Sequence, residues 1–357
     1  MIQAVARPSI YWLLVFVPIS VTVELVGGQP LAVFATACLA IVPLAALIGR
    51  STESLAAHSG PRVGGLLNAT FGNLTELAVA VLLVSAGEFE VVKASLIGSI
   101  VGNMVLVMGA SFFAGGLRHK ELFFSNRSAG LQTSSLLLAV LALMMPALFV
   151  NLRSNTTDQR LVVSVGVAAV LIALYLAALL FTNVTHSQLF RAPTEDEEAE
   201  WSMARAITIL MATALVVGLE SELLVRSIEP AIEALGISRV FIGMFVIAIV
   251  GNAAEHSSAV VFALRNKMDV SLEIAFGSST QIALFVAPLL VFVSLALGKP
   301  MDFVFSPFEV AAVALSTLMV AVAVMDGRTN WLEGLQLLGA YVILGVSFFF
   351  VGGPVGD

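Results

Sequence analysis

Charged side chains are scarce in this chain: Asp, Glu, Lys and Arg make up 11% of its 357 residues, where a soluble domain carries about 25%. A water-solvated globule is excluded. Cys38 is the only cysteine, so no intrachain disulfide can form, and its apolar surroundings suit an inert buried thiol. Histidine occurs four times and never as His-Glu-x-x-His, which leaves no zinc-protease centre. Without a nucleophile–base pair, an intramembrane hydrolase is remote. No basic cluster points to nucleic acid, and the net charge of −7 sits in loops and one short acidic run.

Apolar residues, by contrast, make up 59% of the chain. A helix needs about 20 residues to cross an apolar core of ~30 Å. Runs of that kind fall near 10–27, 31–49, 64–86, 92–115, 131–150 and 161–182, then near 203–224, 240–264, 271–297, 307–324 and 333–352. The expected fold is an all-α polytopic membrane protein with eleven transmembrane helices and the lipid bilayer as its main partner; oligomerisation is left open. The first run follows a short head containing Arg7. With no convincing cleavage site behind it, it reads as a retained helix rather than a signal peptide.

Loop Lys and Arg set the orientation. Arg7, Arg50, Arg62, Arg118, Lys120, Arg127, Arg191, Arg205, Arg265, Lys267 and Arg328 belong to the side of the N-terminus; Lys93, Arg153, Arg160, Arg226, Arg239 and Lys299 belong to the other. Eleven against six predicts a cytoplasmic N-terminus and an external C-terminus. The Asn155-Thr156-Thr157 sequon would then be external, a weak match by itself.

One pattern occurs twice. Gly72-Asn73-Leu74-Thr75-Glu76 returns as Gly251-Asn252-Ala253-Ala254-Glu255, 179 positions later, and Gly98-Ser99 returns as Gly277-Ser278 at the same offset. Glu76 falls in the third span and Glu255 in the eighth. Five crossings separate them, and an odd number reverses direction, so the repeats are inverted. Residues 1–29 form one extra N-terminal helix, 30–185 the first five-helix repeat, 186–202 an acidic cytoplasmic linker helix and 203–357 the second, inverted repeat. Inverted repeats place a substrate site near mid-membrane, where interrupted helices from both halves meet. The joint Pro193-Thr194-Glu195-Asp196-Glu197-Glu198-Ala199-Glu200 has capping-box spacing at Thr194 and Glu197. It reads first as a solvated linker and second as a gatherer of divalent cations.

A carboxylate in mid-membrane costs at least ~2.5–3.5 kcal/mol and is normally retained to bind or move something. Glu76 and Glu255 are therefore the first functional candidates. Gly72 and Asn73 share a helix face with Glu76, as Gly251 and Asn252 do with Glu255. Each Gly-Asn pair is a plausible helix break, freeing carbonyls that are tolerable at this depth only beside a cavity or an ion. In the neighbouring helices Ser99 and Asn103 share a face, as do Ser278 and Gln281. Gly98-x-x-x-Gly102 reads first as close helix packing.

This oxygen-only set, with two acids and no cationic side chain, suits a hard divalent ion. Ca²⁺ accepts carboxylates, carbonyls and amides together, whereas zinc favours His or Cys. At ~6 Å and an effective dielectric of ~20 the two carboxylates repel by roughly 3 kcal/mol. The unloaded site takes up protons, and Ca²⁺ expels them. His256 points about 100° from Glu255; it either relays protons or is a hydrogen-bonded core histidine.

Gly-Asn-Leu-Thr-Glu at 72–76, Gly-Asn-Ala-Ala-Glu-His at 251–256 and Gly-Ser-Ser-Thr-Gln-Ile-Ala-Leu-Phe-Val-Ala-Pro at 277–288 resemble the repeat signatures of the Ca²⁺/H⁺ antiporter (CAX) family, within the cation/Ca²⁺ exchanger superfamily. The resemblance covers nearly the whole chain. It implies Ca²⁺ and H⁺ as transported ions, no cofactor and no enzymatic activity. It places ion binding at Glu76 and Glu255, with oxygens of Gly72, Asn73, Gly251 and Asn252 nearby and Ser99, Asn103, Ser278 and Gln281 following. Proton coupling falls to Glu76, Glu255 and His256. The resemblance also implies alternating access by a sliding helix pair, with spans 1 and 7, or 2 and 7 as first helices of the repeats, as candidates that the sequence does not separate. The expected activity is export of Ca²⁺ from the cytoplasm, in the cell membrane of a prokaryote. The alternatives are a Na⁺/Ca²⁺ or other cation exchanger, although the Gly-Thr-Ser-x-Pro-Glu pattern of sodium exchangers is missing, and a non-transporting membrane scaffold.

Overall fold

The computed structural model describes residues 10–152, 157–185 and 200–351. The acidic joint at 193–199, Arg7, Arg153, Arg191 and the first two residues of the sequon lie outside the described residues. The elements are α1 (Ile10–Leu25), α2 (Pro30–Phe71), α3 (Leu74–Ala86), α4 (Phe89–His119), β1 (Glu121–Phe123), α5 (Asn126–Leu152) and α6 (Thr157–Leu180). Then follow α7 (Met203–Leu235), α8 (Arg239–Leu264), α9 (Met268–Ala296), α10 (Pro307–Ala323), β2 (Arg328–Asn330) and α11 (Trp331–Val351). Apart from one short antiparallel pair, β1 with β2, the described residues form an all-α multi-pass membrane fold. Eight of the helices are long and apolar enough to cross a bilayer, while α1, α3 and α10 are shorter apolar helices.

The sequence predicts separate spans at 31–49 and 64–86, yet α2 is helical through all 42 residues of Pro30–Phe71. A straight helix of that length would be about 63 Å, twice the apolar core. The chain is not straight. A Cβ built on Gly64 lies 2.8 Å from the Ala56 carbonyl oxygen, where a straight helix would put eight residues about 12 Å apart. The same reversal brings Leu67 and Phe71 onto the cluster of Leu44, Ile48 and Leu55. The reversal falls between Ala56 and Gly64, a stretch that contains Pro61, whose missing N–H and fixed φ disfavour a straight continuous helix.

Other boundaries have equally local causes. α3 ends at Gly87, whose φ of +87° favours glycine, and its last carbonyls are taken by the N–H groups of Gly87 and Glu88. Gly236, at φ +64°, closes α7, and the Ser238 hydroxyl then accepts from the Phe241 N–H to start α8. α10 opens with a capping box between Ser306 and Glu309 and Pro307 in its first turn. Pro288 has no N–H to give Leu284, and the helix widens into a π segment at Ile282–Val286 just before it.

Contacts between loops divide the molecule into two ends. At one end β1 pairs with β2, the His119 ring bonds the Leu264 carbonyl, the Ser125 N–H donates to Asp269, and Arg50 pairs with Glu200. At the other end Lys93 pairs with Asp302 and Arg239 with Glu88 and Glu229. Every partnership joins loops that the alternating count assigns to one side. The count of crossings is therefore consistent throughout, and the two halves run in opposite directions.

Helix α4 is the central member: 83% of its apolar window is buried, against 22% for α6 and 17% for α11. Glycines let it approach its neighbours at backbone distance. Gly98 faces the backbone of Met244, and Gly243 faces Val91, Ala94 and Ser95 in return. Further along, Gly109 and Gly116 meet α11 at Gly334, Leu338 and Trp331. At 98 an added methyl collides with backbone, which no rotamer change can relieve. Gly98→Ala should therefore destabilise the detergent-solubilised protein by about 1–3 kcal/mol. Gly166→Ala, where nothing lies within 4 Å, should leave the unfolding temperature unchanged; equal melting of both variants would contradict the crossing.

Candidate cation-binding site

The two signature helices meet their expected neighbours in the middle of the bundle. Gly72 and Asn73 form a turn between α2 and α3, so α3 begins one residue after Asn73 and carries Glu76 in its first turn. The expected break at Gly251-Asn252 does not occur: both are helical within α8. Two local facts account for it. The Asn252 amide donates to the Ala248 carbonyl one turn back at 2.8 Å, tying it into its own helix. Gly251 serves a close approach instead, since a Cβ there would lie 3.3 Å from Glu76 Cγ. The irregularity of α8 sits earlier, in a π segment at Ile242–Ile247.

Four further side chains of the predicted set join these helices in one network. Asn252 Nδ2 donates to Ser99 Oγ at 2.9 Å, and Ser278 Oγ donates to Asn73 Oδ1 at 3.2 Å. Each bond joins the asparagine of one repeat to the serine of the other, as a twofold relation between the halves requires. Asn73 Nδ2 reaches Gln281 Oε1 at 2.5 Å, and Asn103 Nδ2 donates to Ser278 Oγ at 3.1 Å. Asn103 and Gln281 are not at equivalent positions. Each nevertheless lies at the edge of a π segment, Gly102–Val107 in α4 and Ile282–Val286 in α9, and these segments are related by the repeat offset to within one residue.

The network is buried. Asn73, Ser99, Asn103, Asn252 and Ser278 are all 5% exposed or less. Glu76 lines a narrow chamber with Ser95, Ser99, Ala248, Gly251 and Ile282. Glu255, one turn beyond Gly251, interacts with the Ser278 hydroxyl and is close enough to Glu76 for the two carboxylates to act on each other. Ser278 has a single proton, yet it also stands 3.5 Å from Asn252 Oδ1. It can serve only one of these acceptors at a time. Glu255 Oε2 and Asn103 Oδ1 are buried oxygens without a hydrogen-bond partner. Buried acceptors of this kind, beside two acids, suit a cation. No group of three or more His, Cys, Asp or Glu side chains converges among the described residues, so neutral oxygens must complete any coordination shell.

Of the remaining predicted residues, Gly72 lies at the α2–α3 turn. His256 turns toward Gly102, with its Cε1 4.0 Å from a Cβ built there, and its Nε2 is buried without a partner. Sequence reasoning missed Ser95, one turn before Ser99 and on the chamber wall. Its i−4 spacing from Ser99 was the available signal.

Comparisons with known proteins agree in extent. The profile of the family described as sodium/calcium exchanger protein matches residues 29–184 and 205–350. A Ca²⁺/H⁺ antiporter of Aphanothece halophytica is 43% identical, over 95% of this chain and 96% of its own length. The Ca²⁺/H⁺ antiporter ChaA of Bacillus subtilis is 44% identical, over 94% and 97%. Among solved structures, native YfkE superposes with a TM-score of 0.85 at 38% identity, over 96% of this chain and 99% of that one. The H⁺/Ca²⁺ exchanger CAX shares the fold with a TM-score of 0.73 at 15% identity, over 96% and 92%.

The Asn252–Ser99 bond is testable on its own. In a double-mutant cycle of unfolding in detergent, Asn252→Ala and Ser99→Ala should couple by about 0.6 kcal/mol, the mean for bonds between membrane helices. Strict additivity would mean that the bond contributes nothing.

Proposed function

The chain belongs to the sodium/calcium exchanger protein family, and we propose that its two inverted Gly-Asn-x-x-Glu helices perform the exchange of Ca²⁺ for H⁺ by binding either ion at one shared pair of carboxylates. The protein is a multi-pass membrane Ca²⁺/H⁺ antiporter. In the proposed loaded state Glu76 and Glu255 supply the charge, and neutral oxygens of Asn73, Asn252, Ser99, Ser278, Asn103 and Gln281 complete the shell, with backbone oxygens around Gly72 and Gly251 close by. Residues 30–185 and 203–357 act as the two halves, residues 1–29 as the extra helix and 186–202 as the joint.

The observation that carries this reading is the seating of the Glu76 carboxylate against bare Gly251, one turn from Glu255. Two like charges held there without a cation repel, and lipid makes charge costlier still. Protons or one Ca²⁺ relieve the repulsion, and each expels the other. Reorientation with both carboxylates bare is the costliest crossing, so the loaded forms cross and leak is suppressed. The bridging Ser278 hydroxyl turns to whichever acceptor the bound ion leaves free. His256, with a free ring nitrogen near Gly102, assists proton movement beside the site.

Ca²⁺ leaves the cytoplasm as protons enter, in the cell membrane of a prokaryote, with the N-terminus inside and the C-terminus outside. The Lys and Arg bias of the loops supports that orientation. In proteoliposomes of the purified chain, a proton gradient should drive ⁴⁵Ca²⁺ uptake, while an imposed sodium gradient alone should not. Glu76→Gln and Glu255→Gln should each lower the rate by more than about tenfold, equivalent to at least ~1.4 kcal/mol of lost interaction. Normal transport by either variant would reject the mechanism, and sodium-driven uptake would shift the coupling ion. Gly251→Ala, which sets a methyl 3.3 Å from Glu76 Cγ, should raise the Ca²⁺ concentration needed for half-maximal uptake several-fold while leaving the protein folded.

A further inference from the structure

A third carboxyl group lies inside the membrane-spanning bundle, away from the shared pair. Glu220 is fully buried in α7, about 26 Å along the helix from Met203 and about 22 Å from Leu235. The repeat offset pairs it with Ile41, so the first half has no counterpart and the duplicated site does not account for it. Its contact is with α1, the helix left over from the repeats. Ser20, also fully buried, places its Oγ 2.8 Å from both carboxyl oxygens of Glu220 and 2.9 Å from the Val17 carbonyl oxygen.

Proton counting limits how this contact is made. The serine hydroxyl has one hydrogen. If it goes to Val17, an ionised Glu220 faces the serine oxygen with lone pairs on both sides at hydrogen-bond distance. If it goes to Glu220, the second carboxyl oxygen is buried without a donor. A neutral Glu220 avoids stranding a charge: its carboxylic O–H donates to Ser20 Oγ, Ser20 donates to the Val17 carbonyl, and the one oxygen left without a donor is an uncharged carbonyl rather than a carboxylate. Among the described residues no charged group is placed to offset an ionised Glu220. From α1, Glu24 is exposed; from α2, Arg50 is engaged by Glu200 and Cys38 is packed in the main core. From α3, Glu76 is turned to Gly251; along α7 itself Glu222 and Arg226 pair with each other on the exposed side.

We propose that Glu220 is a third proton-binding carboxyl of this antiporter, and that its proton pins α1 to α7 through Ser20. Helix α7 is the first helix of the second half and packs against both arms of α2 and against α3, which carries Glu76. While Glu220 holds its proton, α7 is tied to α1. When water reaches the group, its O–H bond breaks, the proton passes to water, and the carboxylate leaves the apolar contact with Ser20. The pin is then released, and α7 moves relative to α1. The coupling to transport rests on the exchange reading above, whereas the protonation of Glu220 does not.

Infrared spectroscopy of the full chain in lipid separates the two. In a Glu76→Gln/Glu255→Gln background, a carboxylic C=O band that shifts in D₂O should persist at neutral pH and disappear when Glu220→Gln is added. Ser20→Ala should move that band to higher wavenumber, because the carboxyl loses its acceptor. Superimposable spectra of the double and triple variants, or a band indifferent to Ser20→Ala, would overturn the proposal whether or not the protein exchanges ions. In proteoliposomes, Glu220→Gln keeps a neutral, hydrogen-bonding group in place and leaves the pin closed. The ratio of native to variant exchange rates should be near one at mildly acidic pH and rise several-fold at alkaline pH. A ratio that does not change with pH would show that Glu220 only fills space.

Discussion

On the proposed reading, repulsion between two carboxylates held in a medium that solvates neither is the constraint around which the site is arranged. Each acid alone would be expelled from a lipid-spanning helix or kept neutral. Bringing two together, from helices that run in opposite directions, creates a site whose energy falls on binding positive charge. The surrounding groups are chosen accordingly: amides and hydroxyls that accept or donate in several directions, and glycine where a side chain would push the acids apart. A cationic side chain at the same place would neutralise the pair permanently, and the proposed exchange could not proceed there.

Holding such a site requires rigid walls, and these come from glycine crossings rather than from large apolar side chains. Lipid tails are as apolar as leucine, so helix association in a bilayer draws on close packing and interhelical hydrogen bonds. Helix α4 meets α8 and α11 backbone to backbone at Gly98, Gly243, Gly109 and Gly334, and the chamber lies beside the first of these crossings. Two of the π segments, in α4 and α9, occupy equivalent places in the two halves. A π turn leaves the regular bonding ladder locally loosened, which places deformable backbone next to the polar side chains and rigid crossings farther out.

The halves are alike without being copies. The first repeat interrupts its signature helix at Gly72-Asn73, while the second keeps Gly251-Asn252 helical and moves its irregularity upstream. Glu220 and its bond to the N-terminal helix exist on one side alone.

Much of this was legible in the residues. Apolar runs located the helices, since a bilayer demands about twenty apolar residues and offers no water to disguise their ends. A five-crossing separation between identical motifs required inversion, which is a matter of counting and not of packing. Glu76, Glu255 and the asparagines and serines around them were singled out because an uncompensated polar group at that depth is costly. The sequence could not tell whether a Gly-Asn pair bends a helix or admits a neighbour. Gly72 and Gly251 open the same Gly-Asn-x-x-Glu pattern, yet the chain turns at the first and stays helical at the second, where the Glu76 side chain stands opposite. The reversal between residues 49 and 64 was legible as a gap between two apolar runs, but the Ser20–Glu220 contact was invisible, joining residues two hundred positions apart. Periodicity and cost act within one helix and are written in the chain; partnership between helices is decided by three-dimensional fit, to which no local pattern corresponds.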